Sequence, residues 1–203
     1  MRYKFIDSMM NFIFSNSYIF DKIRNIIQNN YEDEKKIISK NFDKNKKTLD
    51  FGCGAGQFSI MFNPTKYYGI DMDSRYIKFC EINRKGNFLT IKDLPPYNFN
   101  KKYFDQILVS AVIHHINNKK LISISKEFKR ILKDKGKLII IDHLTKKNQK
   151  NMICKILIDL DRGRYFRNPD KVINLFSRDF NVKKIKLFKD SIYKDYMLIF
   201  TKK

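Results

Sequence analysis

The sequence LDFGCGAG at residues 49–56 places a glycine at every second position after an acidic residue. Such glycines allow a tight turn and let a ligand approach the bare backbone, and a helix that follows offers unpaired N–H groups. A dinucleotide-binding turn would have glycine at position 57, where this chain has Gln57. Asp50 would repel a pyrophosphate but can hold a cationic amino group. The pattern therefore indicates a cofactor that carries an amino acid rather than a diphosphate.

Two more acidic residues end the apolar segments that follow. Asp71 lies 21 residues after Asp50 in YYGID, where a carboxylate can accept hydrogen bonds from both hydroxyls of a ribose. Asp93 follows NFLTI, at the height where it could accept a hydrogen bond from an adenine amino group. Because the carboxyl ends of parallel strands meet at one edge of a sheet, we expect the three acids to converge on one crevice.

Short apolar runs alternate with helical stretches from Lys47 onwards, which predicts β-α-β units and a parallel sheet buried on both faces. Gly136 is expected at the turn between the helix over 119–132 and the next strand. Two strand-like runs, 181–188 and 196–202, follow each other without a helix and predict an antiparallel hairpin at the sheet edge. The other predicted strands are TLDF, 67–70, 87–91, 104–110 and 137–141, and further helices are expected over 74–84 and within 148–178.

Over residues 47–143 the chain resembles the class I S-adenosylmethionine-dependent methyltransferases, more narrowly the small-molecule branch that includes the ubiquinone and menaquinone enzymes. The resemblance is carried by the glycine turn, Asp71, Asp93 and FDQILVSAVIHHI, in that order. It implies an α/β, Rossmann-like fold whose seven-stranded, mostly parallel sheet has an antiparallel last strand and helices on both faces. It also implies S-adenosyl-L-methionine as the cofactor.

The same resemblance assigns the cofactor contacts. The glycine turn would contact the methionine part, Asp71 the ribose, and Met72 and the Asp93 region the adenine, while the fourth strand would pass under the sulfur. The implied cofactor-binding residues are Asp50, Gly52, Cys53, Gly54, Gly56, Asp71, Met72, Asp93, Leu94, Ser110 and Ala111.

All three histidines follow predicted strands: His114 and His115 the fourth, and His143 the fifth. A neutral imidazole can accept a proton at pH 7, so each is a candidate catalytic base. The alternative is that such a histidine packs against the sheet or caps the next helix. No third ligand accompanies them at a recognisable spacing, so the sequence predicts no metal site.

The segment DRGRYFR at residues 161–167 lies where the family places substrate-specific insertions. Arg164 and Arg167, with Tyr165 between them, could clamp a phosphate or carboxylate; the alternative is a solvated loop. Tyr18 could contact substrate, and together with Tyr31 it could form a lid over the crevice, although packing is the simpler role for both.

The 203 residues, 43% of them hydrophobic, predict a single methyltransferase domain. We divide it into an N-terminal helical cap (1–44), a cofactor-binding core (45–145), a substrate-side insertion (146–180) and a C-terminal hairpin (181–203). Three cysteines without a CxxC pair favour a reducing compartment, and no apolar run reaches the roughly 18 residues of a membrane span. We therefore expect a cytoplasmic protein without a transmembrane segment.

The formal net charge of +21 would attract nucleic acid, anionic lipid heads or an acidic substrate, although A+T-rich coding also makes chains basic. Our first hypothesis is methyl transfer to a small molecule, with anionic or lipid-linked acceptors as candidates and peripheral membrane contact allowed. The absence of the aminomethylating tetrad [DNS]-P-P-[YFW] after the fourth strand favours this hypothesis, and RNA or ribosomal RNA methylation, which the charge supports, is the alternative. A non-catalytic, cofactor-binding partner subunit is the third hypothesis.

Overall fold

A seven-stranded sheet forms the centre of the computed structural model, which describes residues 31–93, 95–161, 163–190 and 193–203. The strand order is β3-β2-β1-β4-β5-β7-β6. All strands are parallel except β7, which lies antiparallel between β5 and β6 and confirms the predicted antiparallel last strand. The strands are β1 (Thr48–Phe51), β2 (Tyr67–Asp71), β3 (Asn87–Thr90), β4 (Phe104–Ser110), β5 (Leu132–His143), β6 (Phe180–Asp190) and β7 (Tyr193–Lys202).

Helices cover both faces of this sheet. They are α1 (Glu32–Asn41), α2 (Ser74–Asn83), α3 (Asn118–Ile131), α4 (Met152–Leu160) and α5 (Pro169–Phe176). Asp73 and Asn117 accept hydrogen bonds from backbone N–H groups in the first turns of α2 and α3, which explains where these helices begin. Among the described residues, no helix has the length and apolar composition needed to cross a bilayer.

The core consists of two apolar layers separated by the sheet. Neighbouring residues of the central strands alternate between the layers: Val109 belongs to one and Leu108 to the other. Buried side chains of α3 and α5, such as Phe128 and Phe176, complete the first layer. Those of α1 and α2, such as Ile38, complete the second. The near-continuous apolar sequences of β4 and β5 are thus explained by burial on both faces.

Gly136 does not mark the boundary between α3 and β5. The helix ends at Ile131 and β5 begins at the next residue, so Gly136 lies inside the strand. There the pairing with β4 shifts, because Phe104 pairs with Leu132 but Gln106 pairs with Lys137. The glycine belongs to this bulge, where an added Cβ would lie 2.6 Å from the Leu132 side chain.

Candidate active site

The glycine turn follows β1 as predicted. Gly52, Gly54 and Gly56 have φ angles of +74°, +51° and +70°, a region that residues with a side chain rarely adopt. A Cβ on Gly52 would lie 2.4 Å from Val112, whereas the nearest atom to one on Gly54 would be 4.0 Å away. The backbone at Gly54 is therefore open to an approaching ligand.

The helix expected directly after this turn is reduced to one 3-10 turn, Ser59–Met61. Pro64 explains the early stop, because the residue before a proline disfavours the helical conformation. Phe58 is buried against Tyr31, with ring centroids 5.7 Å apart, so Tyr31 packs in the core. The N–H groups of Gly52 and Cys53 donate to the carbonyl of Ile70 and that of Gly56 to the carbonyl of Cys53, so they hold the turn in place rather than binding a ligand.

Asp71 joins the end of β2 to the glycine turn. Its Oδ2 accepts a hydrogen bond from the backbone N–H of Gly54 at 2.9 Å, and its Oδ1 accepts one from Asp73 at 2.9 Å. Burial raises the pKa of Asp71 above its ordinary value, although these bonds oppose the shift. The N–H of Met72 also bonds to this carboxylate, and because a carboxylate can accept about four hydrogen bonds, it keeps acceptor capacity for a ribose hydroxyl.

Asp50 lies within β1 and is 1% exposed. The Tyr67 hydroxyl donates a 2.6 Å hydrogen bond to its Oδ2. Burial raises the pKa of Asp50 to about 7 despite this bond. The carboxyl therefore joins β1 to β2 inside the sheet, and a cation arriving nearby would favour its ionised form.

Two predicted adenine contacts lie on the outer part of the crevice. The Met72 side chain is 56% exposed just after β2. Asp93 is exposed and forms an ion pair with Lys120 in the first turn of α3, so an adenine amino group would compete with that lysine. Leu94 and Tyr18 lie outside the described residues.

At the end of β4, Ser110 and Ala111 are buried. The Ser110 hydroxyl donates a 2.8 Å hydrogen bond to Oε2 of Glu34, a buried acid of α1. Ala111 has a φ of +54°, which is unusual for a residue with a Cβ and typical of functional sites. We did not predict a role for Glu34 from the sequence. The one sequence signal for it is that an acidic residue occupies an apolar position of the helix.

The three histidines meet at the same strand ends, and two of them are held by carboxylates. His114 Nδ1 lies 2.6 Å from Oδ1 of Asp142, whose Oδ2 accepts the backbone N–H of His114 at 3.1 Å. His143 Nδ1 lies 2.7 Å from Oδ1 of Asp195. His115 is 44% exposed, whereas His114 and His143 are buried.

Burial alone would raise the pKa of Asp142, but electrostatic attraction and the hydrogen bond from His114 lower it overall. Asp142 is thus a carboxylate acceptor for His114. Neither Asp142 nor Asp195 was predicted, because their pairings join residues distant in sequence.

Residues 163–167, which we call the insertion loop, fold onto the 3-10 turn Ile113–His115, which we call the histidine turn. The N–H of Tyr165 donates to the carbonyl of His114 at 2.9 Å, and the Phe166 ring stacks on His114 with centroids 4.8 Å apart. Arg164 is exposed and Tyr165 is 40% exposed, so both side chains are accessible to solvent next to this turn.

Arg167 has a different role from the predicted substrate clamp. Its guanidinium forms five hydrogen bonds, to the carbonyls of Ile113, Ile116 and Tyr165 and twice to Asn118 Oδ1. These bonds occupy all five N–H donors of an arginine. Arg167 therefore fastens the insertion to the turn after β4 rather than binding an anionic substrate.

Comparisons with known proteins agree with this geometry. A family model of methyltransferase domains matches residues 42–184. An uncharacterized protein of Methanocaldococcus jannaschii is 30% identical over 140 residues, which are 68% of this chain and 53% of that protein. The chain thus spans about half the length of this curated relative.

Solved structures share the fold at low sequence identity. A SAM-dependent methyltransferase of Archaeoglobus fulgidus has a TM-score of 0.70 and 17% identity, over 91% of this chain and 99% of that one. Magnesium protoporphyrin IX methyltransferase of Synechocystis PCC 6803, solved with bound SAH, has a TM-score of 0.65 and 16% identity, over 97% and 100%. Geranyl diphosphate C-methyltransferase of Streptomyces coelicolor A3(2) has a TM-score of 0.66 and 11% identity, over 84% and 78%.

The seven-stranded sheet has the Rossmann-like fold of class I methyltransferases. The chain belongs to the methyltransferase-domain family whose model spans residues 42–184. The cofactor of this class is S-adenosylmethionine, and the chain fits it: the backbone at Gly54 is open, and Asp71 has acceptor capacity beside it.

Proposed function

We propose that this chain transfers a methyl group from S-adenosylmethionine to a small anionic molecule. The observation that carries the proposal is that exposed Arg164 and Tyr165 lie beside the histidine turn, because Arg167 and the Tyr165 N–H fasten their loop there. Arginine binds carboxylate and phosphate groups through paired N–H donors, and tyrosine adds an apolar face with a polar tip. The formal net charge of +21 would attract such an acceptor.

The cofactor supplies a methyl group on a sulfonium, so the reaction is a displacement in which the protein chiefly provides proximity and alignment. We assign the methionine part to the turn of Gly52, Cys53, Gly54 and Gly56. The buried Asp50 carboxyl favours a cationic amino group nearby.

The nucleoside would lie along the neighbouring strand ends. Asp71 would accept hydrogen bonds from the ribose, and Met72 and Asp93 would border the adenine. Ser110 and Ala111 would lie beneath the sulfur, at the end of the buried β4 strand. This arrangement places the methyl group towards the turn of His114 and His115.

Among the three histidine candidates, we propose His115 as the acceptor contact. Its side chain is the exposed one of the three, at 44%, and it follows directly after the His114–Asp142 pair. His114 and His143 are buried and bonded to carboxylates, so we propose that they position the turn and the end of β5.

The test uses the full chain with radiolabelled S-adenosylmethionine and separate metabolite, lipid and RNA fractions. We expect label in the anionic metabolite fraction, and Arg164→Gln should raise KM much more than it lowers kcat. Arg178→Gln is the matched control. This exposed arginine precedes β6 and so lies where that strand begins, away from the strand ends that form the crevice. Label confined to RNA would refute the proposal in favour of nucleic-acid methylation, and no labelled fraction would favour a cofactor-binding subunit.

A further inference from the structure

The turn after β4 and the insertion loop bring three metal-binding side chains together. Asp161 Oδ1 lies 3.7 Å from His114 Nε2 and 3.9 Å from His115 Nε2. One ligand atom from each of the three residues lies within 4.8 Å of the others. Two atoms bound at about 2.1 Å to one tetrahedral ion lie about 3.4 Å apart, so small side-chain movements would complete a site.

The surroundings of His114 are those of a metal-binding histidine. Its Nδ1 faces Oδ1 of Asp142 at 2.6 Å, and a carboxylate can only accept, so Nδ1 carries the hydrogen; in the neutral imidazole the lone pair is then on Nε2, the nitrogen nearer Asp161. A carboxylate behind the ligating histidine in this way fixes its tautomer and its orientation. Asp142 is 1% exposed, so this support is built into the core rather than formed at the surface.

The insertion loop fixes the plane of the same ring. Phe166 stacks on His114 with an interplanar angle of 7°, and a Cβ on Gly163 would lie 2.3 Å from His114 Cδ2. The chain therefore passes directly over the imidazole. Asp161 is brought to the two histidines by this close passage, although it follows them by more than 45 residues.

We propose that His114, His115 and Asp161 bind one divalent first-row transition-metal ion, with Zn²⁺ or Co²⁺ as the expected occupant. Two imidazole nitrogens and one carboxylate suit these ions better than Mg²⁺, which prefers oxygen ligands. Three protein ligands leave a coordination position open, as in catalytic rather than structural zinc sites. The open position would take an anionic oxygen of the methyl acceptor, so that His115 would contact the acceptor through the bound ion; this role, but not metal binding itself, rests on the proposed function.

Metal binding can be measured without any acceptor. The full chain, treated with a chelator and then titrated with Co²⁺, is expected to develop visible d–d absorption at one ion per chain. His115→Ala and Asp161→Asn should each weaken Co²⁺ binding by more than about tenfold. Both side chains are partly exposed, at 44% and 32%, so these substitutions are expected to leave the thermal unfolding midpoint nearly unchanged.

Asp159→Asn is the matched control, because it makes the same change at a carboxylate of α4 that pairs with Lys146. Stoichiometric Co²⁺ binding that is lost in His115→Ala and Asp161→Asn but kept in Asp159→Asn supports the site. No Co²⁺ binding, or binding unchanged in either ligand variant, overturns it.

Binding of S-adenosylmethionine by calorimetry separates this inference from the proposed function. If the chain binds the cofactor and methylates an acceptor but does not bind Co²⁺, only the metal site is refuted. One that binds Co²⁺ through these residues but methylates no acceptor supports the site and refutes the proposed function.

Discussion

Replacing Asp50 with asparagine should stabilise the protein, and increasingly so as the pH rises. The folded state raises the pKa of Asp50 from 3.8 to about 7, chiefly through burial. Between these values the unfolded chain ionises this group while the folded chain retains its proton, so its contribution to stability falls as the pH rises. A difference of about three pKa units corresponds to about 4 kcal/mol once both states are ionised.

The asparagine side chain of the Asp50→Asn variant would remain neutral at every pH, and its amide oxygen could still accept the hydrogen bond from Tyr67. Urea denaturation of both proteins at pH 5, 6, 7 and 8 measures the free energy of unfolding. We expect the advantage of Asp50→Asn to grow across this range towards about 4 kcal/mol. Titrating groups that do not interact with Asp50 cancel in the difference between the two proteins.

Tyr67→Phe tests the cause of this dependence. The Tyr67 hydrogen bond lowers the pKa of Asp50 against the effect of burial, so its removal should extend the pH-dependent loss of stability to higher pH without changing where the loss begins. An advantage of Asp50→Asn that is equal at pH 5 and pH 8 would refute the reasoning, because a neutral carboxyl and a neutral amide would then differ only in packing.

Three further outcomes are expected. Asp71→Ala should weaken S-adenosylmethionine binding, measured by calorimetry, by about 1.5–3 kcal/mol through lost charge-assisted hydrogen bonds; unchanged affinity would mean that the ribose lies elsewhere. Arg167→Met should lower the free energy of unfolding by about 3 kcal/mol in urea, since it removes the five hydrogen bonds of this guanidinium. Gly163→Ala should cost about 1–3 kcal/mol in the same assay, because its Cβ would overlap His114; wild-type stability would show that the loop moves freely.

Much of the fold could be predicted from periodicity. The buried strands β1, β2 and β4 lie where their short apolar runs predicted them, and α3 is displaced by one residue from 119–132. These elements are encoded locally, by apolar spacing and by caps such as Asn117. The bulge around Gly136 was not predicted, because it depends on pairing with β4, which local sequence does not record.

The site was predicted less completely, because its carboxylates form hydrogen bonds with histidines that are distant in the sequence. Asp142 and His143 are neighbours in β5, yet successive residues of a strand point to opposite faces. Asp142 therefore bonds to His114, 28 residues earlier, and His143 bonds to Asp195, 52 residues later. Residue type marked the histidines as reactive, but only the tertiary fold supplies their partners.

The position of β7 between β5 and β6 affects how the chain is synthesised. β6 emerges from the ribosome before β7, which lies between β5 and β6 in the sheet. Neither β5 nor β6 can therefore complete its pairing until β7 is made. Until β7 arrives, the edge of β5 presents unpaired backbone groups along Leu138–Ile141, an apolar segment open to wrong partners. Nascent chains halted before β7 should therefore aggregate or recruit chaperones, whereas those released after it should not.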